Sequence, residues 1–135
     1  MTDFRLDPRL AADTVEVLDL PLSRLLAMRG VDHPWVILVP RRPDLVELLD
    51  LAADDRARLS AEIDAVAAAL KAETGAHKLN VAALGNVVSQ LHVHVIARFR
   101  DDPAWPNPVW GRPAVRPVDA ATLATFVAAL RARLA

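Results

Sequence analysis

The chain has no cysteine, which removes disulfides and thiolate metal sites from its chemistry and fits a reducing compartment. Aromatic residues are scarce, 4% against 53% hydrophobic residues in a chain of 135, so the core must be built mostly from aliphatic side chains. An excess of either charge is missing as well: 16 basic and 17 acidic residues leave a formal net charge of -1. No bulk field draws such a chain to nucleic acid or to an anionic membrane, and any phosphate it binds must be held by a local site. No apolar run approaches the roughly 20 residues that a bilayer span requires. The opening stretch, MTDFRLDPRLAADTVEV, contains acidic residues and no apolar region of signal-peptide length. The expectation is a cytoplasmic protein with no membrane partner. The sequence shows no internal repeat and no low-complexity linker, and its length suits one domain over residues 1–135.

The patterning that is present changes period along the chain. TVEVLDLPLSRLLAM is β-branched and aliphatic with an interruption at Asp19 to Pro21, which predicts two short strands around a turn. Trp35 to Val39 is an apolar run between prolines and reads as a strand buried on both faces. From Asp54 to Thr74, Leu59, Ile63, Val66 and Leu70 recur at helical spacing, with Asp54 and Asp55 favouring the start and Gly75 the stop. HKLNVAALGNVVSQLHVHVIARF returns to strand character, with Gly85-Asn86 as the expected turn between two strands. A loop rich in proline and tryptophan follows. A last helix, opened by Asp119, carries Leu123, Phe126, Val127, Leu130 and Leu134 on one side.

Within QLHVHVIAR, strand alternation puts Gln90, His92 and His94 on one face and Leu91, Val93 and Val95 on the other. The apolar face is core. Two imidazoles and an amide in a row must be hydrated, hydrogen-bonded or employed. A solvated strand face accounts for them without chemistry. A metal site would use the two imidazoles as ligands with a third from His33, His77 or a carboxylate, none of which stands at a recognisable spacing. Alternatively, one neutral imidazole attacks phosphorus to give a phosphoramidate intermediate while its neighbours stabilise the charge on the non-bridging oxygens.

QLHVHVIAR resembles the signature of the histidine triad (HIT) family, in which three histidines alternate with hydrophobic residues and an apolar tail runs to an arginine. LNVAALGNVVSQLH and WVILVPRR extend the similarity over roughly residues 14 to 100. Together with DDPAWPNPVWG they resemble a bacterial subgroup with glutamine at the first triad position.

The resemblance implies an α+β fold, HIT-like, with an antiparallel sheet of about five strands, one long helix on a face of the sheet and a C-terminal helix closing it. It implies a homodimer with joined sheets, whose terminal segments can reach the neighbour's site. It makes His92 the nucleophile, His94 a phosphate contact, Asn80 a phosphate or nucleoside contact, and the Gly85-Asn86 turn a loop whose backbone approaches the phosphate. Gln90, at the first position, can donate to a phosphate or leaving-group oxygen but cannot carry a proton near neutral pH.

The sequence departs from the family pattern elsewhere too. Trp35 stands where many members have a fourth histidine; His33, two residues earlier, is either a substitute for it on the same strand face or a loop histidine, and Val87 stands in place of a serine. Trp105 and Trp110 are candidates to cover the nucleotide or to pin the loop. Arg98 is a candidate to face a phosphate, although an arginine at a strand end is more often solvated or paired; Arg41 and Arg42 are expected to form a solvated turn, and His77 to start a strand without a role. The implied activity is a phosphohydrolase or nucleotidyl transferase acting at the α-phosphate of a nucleotide conjugate. It requires no metal, although magnesium can accompany a polyphosphate substrate. A nucleotide-binding module with little turnover and a metal-dependent hydrolase using the H-x-H pair remain as alternatives.

Overall fold

The computed structural model describes residues 3–135. Its strands are β1 (Thr14–Asp19), β2 (Ser23–Met28), β3 (Trp35–Pro40), β4 (Lys78–Ala82) and β5 (Val93–Arg98). They form one antiparallel sheet in the order β1-β2-β3-β5-β4. The α+β expectation, five strands with a long helix and a C-terminal helix, is what the chain adopts.

The long helix α2 (Ala53–Thr74) has Asp54 and Asp55 in its first turn and ends at Gly75, whose left-handed backbone (φ 67°) lets its N–H reach the Lys71 carbonyl. The C-terminal helix α3 (Ala120–Leu134) starts at Asp119, whose carboxylate accepts from the Thr122 N–H at 2.7 Å. A short helix, α1 (Pro8–Asp13), was not expected. Its signal is local: Asp7 caps it and Pro8 stands in its first turn.

β3 and β5 are buried at every position. One face of the sheet meets α2 and α3 in an aliphatic core that takes Val93, Val95 and Ala97 of β5 with Leu59, Val66, Leu70, Val127 and Leu130. The other face carries Trp35, Ile37, Val39 and Ile96 and is covered by Leu10, Ala104 and Val109, with Phe4, Leu6 and Trp110 packed beside them. That second layer is made of the N-terminal segment with α1 and the loop after β5, so neither of the two long helices walls the face on which the histidines lie.

Two expectations change. Gly85-Asn86 is not a tight hairpin turn: β4 ends at Ala82 and β5 begins at Val93, and residues 83–92 form a loop in which Gly85 takes φ 77°. The reason is a competing partner. The Leu91 N–H donates to the Leu45 carbonyl at 3.0 Å instead of continuing the ladder to β4. Arg41 and Arg42 are not a free solvated turn either. Arg41 bonds the carbonyls of Leu20 and Leu22, and Arg42 reaches Asp55 at 2.7 Å.

The β1–β2 connection is held to α2 by Glu62. Its buried carboxylate accepts from the backbone N–H of Leu22 at 2.7 Å and of Ser23 at 3.0 Å. Glu62→Ala removes two charge-assisted bonds and leaves both donors unpaired, so chemical denaturation is expected to show a loss of about 3 kcal/mol.

Candidate functional site

The histidine face is assembled at the loop end of β5, between β3 and β4. The rings of His92 and His94 lie 4.9 Å apart, edge to face, and both residues are 7% exposed. Their Nδ1 atoms have opposite partners. His92 Nδ1 is 2.7 Å from the main-chain carbonyl oxygen of Gln90. A carbonyl only accepts, so this nitrogen carries the proton and the lone pair is left on Nε2. His94 Nδ1 accepts the indole N–H of Trp35 at 2.9 Å. An indole only donates, so in neutral His94 the proton sits on Nε2. Burial lowers the His94 imidazole to about 4, and the neighbouring His92 acts in the same direction. His94 is therefore uncharged at neutral pH.

Trp110 packs edge-on against both His94 (5.3 Å) and Trp35 (5.9 Å). It walls the site, whereas Trp105 lies over the Arg98 guanidinium at 5.6 Å and edge-on to His77. His77 accepts from Arg100 at 3.1 Å.

Gln90 is placed differently from its expected catalytic position. Its amide oxygen accepts from the Asp7 N–H and its amide nitrogen donates to the Arg5 carbonyl, both at 2.8 Å. Both ends of the amide thus hold the N-terminal segment, and what Gln90 gives the imidazole pair is its main-chain carbonyl. No local pattern signals this, since the partners are more than eighty residues away in sequence.

Asn80 is opposite Ile96 in the β4–β5 register, which puts it on the histidine face. Its Oδ1 accepts from Arg98 at 2.8 Å, so the NH2 end is the one left to donate. Arg98 is 1% exposed and paired, as one of its two expectations had it. It makes two bonds to Asp102, at 2.9 and 3.1 Å, and one to the Asn107 carbonyl at 2.8 Å. Asp102 also accepts the backbone N–H groups of Phe99, Ala104 and Trp105. Burial would raise its carboxyl, but the bonds from Arg98 and from the Phe99 and Trp105 backbone prevail and hold it at about 2.

His33 does not replace the missing fourth histidine beside the pair. It is a buried loop residue with Nδ1 3.6 Å from Asp102 and without a hydrogen-bond partner. Burial holds its imidazole below the ordinary value, against the opposing field of Asp102. His33, Trp35 and Trp110 line a cavity of about 400 Å³ with Val31, Val109 and Arg112. The buried Trp110 indole N–H is also without a partner. Among the described residues, no three or more His, Asp or Glu side chains are grouped to hold a metal ion.

The HIT domain profile matches residues 9–101. The chain belongs to the histidine triad (HIT) family. The chain is similar over its length to HIT proteins of known structure. One from Bradyrhizobium japonicum is 48% identical, with 99% of this chain and 100% of that one covered and a TM-score of 0.93. One from Sinorhizobium meliloti 1021 is 46% identical, with 97% of each chain covered and a TM-score of 0.92. One from Marinobacter aquaeolei VT8 is 42% identical, with 98% and 97% covered and a TM-score of 0.92. A comparison with curated protein sequences finds no match. In this HIT domain the wall of the histidine face after β5 is tied to the sheet by the Arg98–Asp102 pair.

That pair sets an acid limit on the fold. The folded-state value of Asp102 is depressed, so its contribution is complete above the unfolded carboxylate value near 4 and is lost as pH falls through about 2. Between those limits stability should fall by about 2 kcal/mol on this account alone. Asp102→Asn should cost about 3–5 kcal/mol at pH 7, because it leaves the Arg98 guanidinium buried without its counter-charge, and it should flatten the acid branch of an unfolding series.

Proposed function

We propose that this HIT protein is a nucleotide-binding phosphohydrolase or nucleotidyl transferase that acts at the α-phosphate of a nucleotide conjugate through a nucleotidyl-histidine intermediate. The observation that carries the reading is the 2.7 Å contact between His92 Nδ1 and the Gln90 carbonyl. It fixes the tautomer in which Nε2 is the nucleophilic atom, and it stabilises the positive charge that the ring acquires on bonding to phosphorus.

In the proposed course, the Nε2 lone pair forms the N–P bond while the bond from phosphorus to the leaving group breaks, its electron pair going to the leaving group. Water then attacks phosphorus, the N–P pair returns to Nε2, and the water proton passes to solvent. His94, with its proton on Nε2, donates to a non-bridging oxygen. Asn80 offers its NH2 end to the phosphate or the ribose. Gly85 and Asn86 bring loop backbone towards the phosphate.

The cavity beside Trp35 and Trp110 is the proposed seat of the nucleoside. Its volume of about 400 Å³ lies within the range of small-molecule sites. Its indole walls offer aromatic faces, and the unpartnered His33 Nδ1 and Trp110 N–H offer polar contacts to a base. A magnesium ion, where the substrate is a polyphosphate, is brought by the substrate's own phosphates. The homodimer implied by the family likeness is supported by the open edge of β4, where Val81 is 49% exposed next to the exposed Leu84 and Val87 of the following loop. Among the described residues no helix is long and apolar enough to cross a membrane, and the proposed setting is the cytoplasm.

A second reading, a nucleotide-binding module with little turnover, is favoured by one observation: the Gln90 amide is committed to residues 5 and 7. The two readings separate in one assay. Adenosine and guanosine phosphoramidates and dinucleoside polyphosphates are incubated with the parent chain and with His92→Ala, with and without chelator. Turnover that survives chelation and falls to background in His92→Ala is the expected result. Bound nucleotide with no turnover in the parent chain contradicts the enzymatic reading and leaves the binding module.

A further inference from the structure

Building on the histidine chemistry above, we propose that Trp35 is a positioning residue that locks His94 as a permanent Nε2–H donor, so that this third triad position grips the phosphate without ever carrying a proton in or out. An indole can serve a hydrogen bond in one direction only. Its N–H donates and never accepts, whereas a histidine at this position could do either and could itself titrate. With the Trp35 N–H on His94 Nδ1 at 2.9 Å, the alternative tautomer would set two N–H groups against each other inside the protein.

The lock is mechanically supported. Trp35 is 9% exposed and belongs to a strand buried along its whole length. Trp110 closes edge-on over both partners, 5.9 Å from Trp35 and 5.3 Å from His94. The residues facing His94 from the neighbouring strands are Ile37 on β3 and Ala82 on β4, its register partners. None of these groups titrates, and His92 is the titratable neighbour, 4.9 Å away. A ring held this way meets every substrate in the same protonation state. Expulsion of the leaving group must then rely on a group that departs as an anion or on a proton from water, which favours phosphate leaving groups over amines.

The direct test reads the ring itself and needs no substrate. Nitrogen-15 NMR of the full-length protein distinguishes Nε2–H from Nδ1–H imidazole. The parent chain is expected to show His94 as Nε2–H throughout pH 5–9. Trp35→Phe keeps an aromatic wall but removes the donor. In it, His94 should populate both tautomers, and its titration midpoint should rise by about one pH unit, a tenfold change in the protonation constant. A parent His94 found as Nδ1–H, or titrating near 6.5, overturns the proposal even if no variant folds. An unchanged ring in a folded Trp35→Phe overturns it as well. Because no turnover enters the reading, failure of the enzymatic proposal and failure of the lock are separate results.

Discussion

β5 is buried on both faces, and every polar group it carries must therefore find its partner inside the protein. On the aliphatic side there is nothing to satisfy. On the other side the strand and its approach carry His92, His94 and Arg98 in alternation, and each is met by a group that can serve only one way. A carbonyl accepts from His92, an indole donates to His94, and a carboxylate, a carboxamide oxygen and a carbonyl accept from Arg98. Burial thus does more than hide the site. It removes the water that would let the rings exchange tautomers and leaves the protein to choose them.

The substitutions in the triad read as a redistribution of work around that strand. The Gln90 side chain is turned to the N-terminal segment, where it fixes residues 5 and 7 while its carbonyl orients His92. Trp35 fills the place of a titrating ring with a fixed donor and a large apolar wall. The Arg98–Asp102 pair closes the loop that brings Trp110 over the histidines, and the Arg98 bond to Asn80 orients that amide on the adjacent strand. An oriented imidazole, an indole-bonded ring and an aromatic wall thus depend on groups from separate parts of the chain.

What the sequence made legible is what local periodicity encodes. The limits of α2 at the Asp54–Asp55 pair and Gly75, the cap at Asp119, the twofold alternation of β5 and the doubly buried β3 all follow from short-range patterns, and the structure has them. The HIT signature added the pairing of those elements and the idea of the site. Partner choice across long separations was not legible. Gln90 meets residues 5 and 7, Trp35 meets His94 across 59 positions, and Leu91 prefers the Leu45 carbonyl to its own hairpin partner. A side chain's composition tells what it can bond, but tertiary packing decides which of several competent partners it meets. The Asp7-Pro8 start of α1 is a different matter, being a local signal that went unread.

His92 Nε2 is the atom proposed to bond to phosphorus. Acid-labile adducts can be trapped by rapid quenching into base after mixing the protein with a dinucleoside polyphosphate, then located by tandem mass spectrometry and phosphorus NMR. The predicted result is one nucleotidyl group on Nε2 of His92, formed and lost at rates that match turnover. An adduct on Nδ1 or on His94, or turnover with no adduct at all, would contradict the assignment drawn from the Gln90 carbonyl.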